Sequence, residues 1–140
     1  MSDTDAARWR EERREAAHAH AEALELRRQA ESARAHAMIT EFVAHALEHG
    51  PAPEPLRVRT YDGRQRYRTP LQGWYLRFDE TVAIDTDGAF YVLRTPPSLV
   101  ARVRGVRPEP SDPPLVIGAG GKDGESVDMK DALARLRAAA

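Results

Sequence analysis

Cysteine is absent from the 140 residues of the chain. Disulfide bonds, thiolate metal sites and a cysteine nucleophile are therefore excluded. Lysine is nearly absent, because Lys122 and Lys130 are the only two and every other basic side chain is arginine. Together with the abundance of alanine, this usage is typical of a GC-rich bacterial genome, so part of the arginine content reflects genomic composition rather than function.

Long apolar runs are absent too. No run approaches the roughly 20 residues that a membrane-spanning helix needs. The first residues, MSDTDAARWREERRE, are charged and lack the apolar centre of a signal peptide. We therefore expect a cytoplasmic protein that does not enter a membrane.

Glycine and proline are missing from the first 49 residues, which are rich in Ala, Glu, Arg and Leu. These are good helix formers, so one helix is predicted from about residue 4 to residue 49. Ser2 or Thr4 can cap its start. Gly50 and Pro51 end it, because glycine accepts a left-handed conformation and proline cannot continue the hydrogen bonding.

A seam of small apolar residues with alternating spacings of three and four runs along this helix. Its members are Ala16, Ala19, Ala23, Leu26, Ala30, Ala33 and Ala37. Such spacing over three heptads is typical of a coiled coil. In a parallel dimer the flanking positions would pair Glu15 with His20, Glu22 with Arg27, Gln29 with Arg34, and His36 with Glu41, without a like-charge contact.

The alternative is a solvated helix stabilised by its own ion pairs, Arg8–Glu12 and Arg27–Glu31. A seam made almost wholly of alanine buries little area in each layer. The sequence therefore slightly favours the solvated helix over the dimer.

After residue 55 the hydrophobic period changes from 3.6 to 2, which indicates strands. Asp62-Gly63 and Asp87-Gly88 each predict a hairpin, residues 73–78 a further strand, and Asp128 the cap of a last helix. We expect an α+β fold in which the long N-terminal helix packs by its C-terminal half on an antiparallel sheet of four to six strands, followed by a short C-terminal helix. Residues 1–50 would form the helix, and residues 51–140 a small β domain that shares one core with residues 38–47.

The second hairpin is richer in Val, Ile, Phe and Tyr, and is expected to be the more central. The predicted core consists of large apolar residues at the inward positions of these elements. They are Met38, Ile39, Phe42, Val43, Leu47, Val58, Trp74, Leu76, Val82, Ile84, Phe90, Val92 and Leu133.

The first hairpin carries an unusual density of arginine. Residues 51–107 hold ten arginines against six acidic residues, whereas both flanks are acidic. A two- or four-residue loop sets Arg57 opposite Arg68 and Arg59 opposite Arg66, and adds Tyr61 and Arg64 at the tip. Because side chains alternate along a strand, all six are predicted to lie on one face, as a site for a partner or an anion.

Three interpretations of this face remain, in decreasing order of preference. The arginines could be solvated, with their stems covering apolar surface. They could meet carboxylates, supplied by a protein partner or by the acidic helix itself. They could instead bind the phosphates of nucleic acid.

No catalytic set, cofactor motif or metal cluster is evident. The segment GAGGKDGES lacks the P-loop pattern, since Val116 stands where glycine is required and Asp123 where Ser or Thr is required. His45 and His49, with Glu41, have a metal-compatible helical spacing but no further ligand cluster.

We therefore predict a small cytoplasmic non-enzymatic interaction or adaptor protein, without cofactor or metal, for which self-association through the N-terminal helix is one option. A protein partner or homodimer is favoured. The alternative is a nucleic-acid-binding regulator that uses the arginine-rich hairpin.

Overall fold

The computed structural model of the chain describes residues 2–118 and 126–140. Its contacts define two compact units, residues 1–31 and residues 32–140. The division falls within the first helix. In chain order the elements are α1 (Asp3–His49), β1 (Glu54–Thr60), β2 (Arg66–Tyr75), β3 (Val82–Asp85), β4 (Phe90–Val92), β5 (Arg94–Thr95), α2 (Leu99–Arg104), β6 (Val116–Ile117), β7 (Val127–Asp128) and α3 (Met129–Ala138).

The predicted α+β fold is confirmed. α1 is 47 residues long, and its ends follow the predicted signals. The Ser2 hydroxyl accepts a hydrogen bond from the Asp5 N–H at 3.2 Å, and Gly50 ends the helix at φ +85°, where its N–H donates to the Ala46 carbonyl at 2.8 Å.

The main sheet has five strands in the order β4-β3-β2-β1-β5. All neighbours are antiparallel except β5, which pairs parallel with β1. β2 is therefore the middle strand and β4 lies at an edge, so the expectation that the second hairpin is the more central was wrong. β6 and β7 form a separate two-stranded sheet.

Residues 73–78 do not form a strand of their own, as had been expected. Residues 73–75 instead continue β2, which runs unbroken through Pro70. The register of β1 against β2 shifts between Pro55 and Arg57, and such a bulge accommodates a proline that cannot donate to the ladder.

One apolar cluster joins the second half of α1 and α3 to the sheet. Phe42 meets Trp74 edge to face at 5.3 Å between ring centroids, and the Trp74 indole N–H donates to the Pro51 carbonyl at 2.9 Å. Met129, Ala132 and Leu133 bring the buried side of α3 to the same cluster. Burial of these side chains is the main stabilising contribution to this unit.

A second, smaller cluster contains the buried side chains of Leu56, Val58, Ala83, Tyr91 and Leu93. Val82 and Ile84 belong to the first cluster, whereas Ala83 between them belongs to the second. All four residues of β3 are buried. The main sheet is thus covered on both faces at β3.

Most of the predicted core is buried and Met38 is half-buried, but two members lie at the surface. Leu47 and Val92 are exposed. Leu47 lies beyond the edge of the buried stripe of α1, and Val92 ends the edge strand β4. The Asp128 side chain makes no capping hydrogen bond to α3, contrary to the expectation that it caps this helix.

Gly73 is the residue of β2 that tolerates no side chain. A Cβ at this position would overlap the Ile84 carbonyl oxygen and lie 2.7 Å from the Asp85 Cα. These are backbone atoms of the paired strand β3, so they cannot move aside without breaking the ladder.

We expect Gly73→Ala to lower the free energy of unfolding by about 3 kcal/mol or more, because the clash is with backbone. Gly118→Ala is the matched control, since no atom of the described residues beyond its chain neighbours lies within 4 Å of its Cβ position. It should change stability by less than about 0.5 kcal/mol. Urea unfolding gives the free energy of unfolding of both variants. Equal values for Gly73→Ala and Gly118→Ala would contradict a close approach of the β3 backbone to Gly73.

Candidate functional site

The arginine-rich hairpin has the predicted register. Arg57 pairs with Arg68, and Arg59 pairs with Arg66. The loop is the four-residue form, since the Thr60 N–H donates to the Gln65 carbonyl at 2.9 Å. Two arginine pairs therefore lie directly opposite each other, an arrangement that is unfavourable unless an anion compensates it.

The tip of the hairpin is held by Asp62. Its carboxylate accepts the Thr60 hydroxyl at 2.6 Å and the Arg64 N–H at 2.9 Å. These two hydrogen bonds, the Thr60 bond first, lower the pKa of Asp62. Tyr61 and Arg64 are exposed in this loop, so they belong to the tip and not to the paired part of the strands.

Glu80 lies between the guanidinium groups of one arginine pair. Its two carboxylate oxygens are 2.7 Å from Arg66 Nη2 and 3.5 Å from Arg59 Nη2. The side chains of Glu80, Arg59 and Arg66 are 27%, 30% and 41% exposed, so solvent screens the ion pairs only in part. An internal carboxylate thus occupies part of the predicted anion-binding face.

Glu80 is the only described non-glycine residue with a positive φ, 61°. A left-handed conformation is unfavourable for a side chain other than Gly, Asn or Asp, and persists where the surroundings over-determine it. The two ion pairs supply that constraint. No sequence signal identified Glu80, because its role depends on how the loop after β2 returns to the first hairpin.

Arg94 extends the arginine pair onto a third strand, since it lies beside Arg59 in the parallel register. The Nε atoms of Arg59 and Arg94 are buried and make no hydrogen bond to the part of the chain that is described. Burial alone would raise the pKa of Asp79, but hydrogen bonds from Thr81 and the charges of Arg77 and Arg94 hold it below its usual value.

The seam of α1 has members in both compact units, residues 16–30 in the first and residues 33 and 37 in the second. In the first unit every described side chain is exposed except the half-buried Ala6 and Ala23. Leu26, at the centre of the seam, is 67% exposed. The ion pairs Glu11–Arg14 and Glu25–Arg28 form here, and the expected Arg8–Glu12 and Arg27–Glu31 do not. His18 Nε2 lies 2.9 Å from a Glu22 carboxylate oxygen.

In the second unit Ala33 and Ala37 continue the seam and are exposed. Ala35, Ile39 and Phe42 are buried on the other side of the helix. At about 100° per residue, the two sets of side chains point in roughly opposite directions. Packing against the sheet therefore leaves this end of the seam uncovered.

The acidic residues at the second hairpin have a structural role. Asp85 is buried, and one of its oxygens accepts the N–H groups of Asp87 at 3.0 Å and Ala89 at 2.9 Å. The other accepts the Tyr91 hydroxyl at 2.9 Å. Burial and the contact with Asp85 raise the pKa of Tyr91 to about 12. Asp85 therefore closes the turn, a role typical of aspartate at this position.

Within residues 2–118 and 126–140, no group of three or more His, Cys, Asp or Glu side chains is placed to hold a metal ion. The His45 and His49 rings stand 4.9 Å apart. Most of the glycine-rich segment, residues 119–125, lies outside the described residues. In the part of the chain that is described, no helix is both long and apolar enough to cross a membrane.

Comparison with protein-family models, with curated proteins and with solved structures finds no significant match. Any functional inference therefore depends on the geometry of this chain.

Tyr91→Phe tests the buried hydrogen bond to Asp85. Wild type should be more stable than the variant by about 1 kcal/mol at neutral pH. The folded pKa of Tyr91 is raised above its unfolded value of about 10, so this stability is fully present below pH 10 and is lost as the pH rises toward 12.

Urea unfolding between pH 7 and 12 measures the difference between wild type and Tyr91→Phe. Tyr61→Phe is the control, because Tyr61 is exposed and its loss should leave stability unchanged at every pH. A difference that does not narrow above pH 10 would rule out the proposed hydrogen bond.

Glu80→Gln tests the internal neutralisation of the arginine pair. The change keeps the shape of the side chain but leaves Arg59 and Arg66 uncompensated. We expect the free energy of unfolding to fall by about 1 kcal/mol, the scale of partly exposed ion pairs. Glu54→Gln, at an exposed residue that makes no ion pair in the described chain, should have no effect. Equal unfolding midpoints in urea would contradict this role of Glu80.

Proposed function

We propose that this chain is a cytoplasmic, non-enzymatic interaction protein that associates with a second copy of itself through the seam of α1. The observation that carries the proposal is the exposed Leu26 at the centre of a heptad seam whose other members are exposed, except the half-buried Ala23. A helix segment without tertiary packing is only marginally stable in water. Association along one apolar stripe is the usual way in which such a segment is stabilised.

Charge complementarity favours a parallel second copy as the occupant. Arg27 and Arg34 stand at flanking positions and make no ion pair in the described chain. In parallel register they face Glu22 and Gln29 of the second helix. An antiparallel partner would instead set glutamates near each other, which is unfavourable.

Nucleic acid remains the alternative partner of the arginine-rich hairpin, but it has less support. Glu80 already engages Arg59 and Arg66, so two of the five hairpin arginines would have to exchange a carboxylate for a phosphate. An external phosphate would have to displace the Glu80 carboxylate from these arginines, which lowers its affinity for the hairpin.

Leu26→Glu tests the seam directly. Each copy would lose the burial of one leucine, about 1.5 kcal/mol or more. The dimer dissociation constant should therefore rise at least tenfold, since each 1.4 kcal/mol is about a factor of ten. Sedimentation equilibrium of the full chain over a range of concentrations gives the constant.

Leu24→Glu is the matched control. Leu24 is also an exposed leucine, at 48%, but lies about 200° from Leu26 around the helix and outside the seam. Its variant should dimerise like wild type. A wild-type chain that stays monomeric at high concentration, or equal effects of both variants, would reject the proposal.

A charge exchange tests the parallel register. Glu22→Arg alone would set two arginines against each other across the interface and weaken the dimer. Combining Glu22→Arg with Arg27→Glu restores an opposite-charge pair in each of the two symmetric contacts. A dimer dissociation constant that returns toward the wild-type value in the double variant supports parallel pairing. A double variant that dimerises more weakly than either single variant would exclude it.

A further inference from the structure

A groove of about 460 Å³ lies between β2 and the residues that follow α2. Three arginine side chains line it, Arg68 from β2 and Arg104 and Arg107 from the other wall. Among the described residues, no carboxylate lines the groove. Its volume lies within the range of small-molecule binding sites.

The two walls are joined through their backbones. The Val106 N–H donates to the Arg68 carbonyl at 2.8 Å. Gly105 has φ +81°, and a Cβ there would lie 2.8 Å from the same carbonyl oxygen. The close approach therefore requires glycine. This backbone contact holds Arg104 and Arg107 beside Arg68, which is far from both of them in the sequence.

Arg68 is itself held in place. Its Nη2 atom donates to the Val103 carbonyl at 2.6 Å, which uses one of its five N–H donors. The remaining donors stay available, and a guanidinium already held loses less conformational freedom when it binds a ligand.

The groove differs from the neighbouring arginine pair in one respect. Glu80 compensates Arg59 and Arg66. In the described chain no carboxylate pairs with Arg68, Arg104 or Arg107, nor with Arg57 opposite Arg68. Like charges held this close are unfavourable until an anion joins them.

We propose that the groove between Arg68, Arg104 and Arg107 binds the phosphate group of a small phosphorylated ligand. Planar guanidinium groups donate two parallel N–H bonds to the oxygens of a phosphate. Three of them match the multiple charge of a phosphate better than the single charge of a carboxylate. The site is separate from the seam of α1, so this proposal does not depend on dimerisation.

Pyrophosphate is the probe, titrated into the full chain by calorimetry at low ionic strength. We expect saturable binding that weakens as salt increases. The variant Arg104→Ala with Arg107→Ala should raise the dissociation constant at least tenfold. Both residues are exposed, so the fold should survive, and an unchanged thermal unfolding midpoint verifies it.

The control removes the same charge elsewhere. Arg64→Ala with Arg102→Ala deletes two exposed arginines, one at the hairpin tip and one on α2, neither of which lines the groove. This variant should bind pyrophosphate within about twofold of wild type, the small residual effect of distant surface charge. No binding by wild type at millimolar pyrophosphate, or an equal loss in both variants, would overturn the proposal.

A single-stranded oligonucleotide without terminal phosphate distinguishes the source of the phosphate. If the groove is a site for small molecules, the oligonucleotide should bind only weakly. The control variant should then reduce oligonucleotide binding as much as the variant Arg104→Ala with Arg107→Ala does. Tight oligonucleotide binding that depends on Arg57, Arg64 and Arg66 would overturn the proposal in favour of the hairpin face as a nucleic-acid surface.

Discussion

The packing of Trp74 against α1 is the interaction on which the rest of the second unit depends. Its ring meets Phe42, its N–H reaches the Pro51 carbonyl, and its backbone pairs with Ile84. Because side chains alternate along a strand, burying Trp74 on one face directs Gly73 and Tyr75 to the other. The close backbone approach at Gly73 and the packing of Tyr75 beside the second cluster both follow from this single choice of face.

The arginine-rich hairpin illustrates how one physical constraint is met in two ways. The register sets arginine opposite arginine twice, and each pair needs an anion or water to compensate its charge. For Arg59 and Arg66 the compensation is internal, through Glu80 in a left-handed conformation. For Arg68 the described surroundings add two further arginines and no carboxylate. The same residue type therefore stabilises the fold at one pair and leaves an open binding surface at the next.

The helix and the groove are surfaces of different kinds. The seam of α1 is apolar and narrow, so the strength of the proposed association depends on the length of the seam and on the flanking charges. The groove is polar and localised, and its contribution depends on the direction of a few guanidinium groups. An interaction protein with both surfaces could bind a second copy and a small anion independently, since no residue proposed for one surface is used by the other.

The sequence by itself determined the long helix and the two hairpins, but neither the extent of β2 nor the cap of α3. Residue composition predicted the long helix, Gly50 its end, and the two Asp-Gly turns the hairpins and the Arg57–Arg68 register, because these depend on backbone preferences and short-range spacing. Only the tertiary structure decided the strand order, the exposure of Leu47 and Val92, and the meeting of Glu80 with Arg59 and Arg66. It also brought Arg104 and Arg107 to Arg68. These features depend on how segments distant in the chain pack together, and no periodicity or spacing within one segment encodes that.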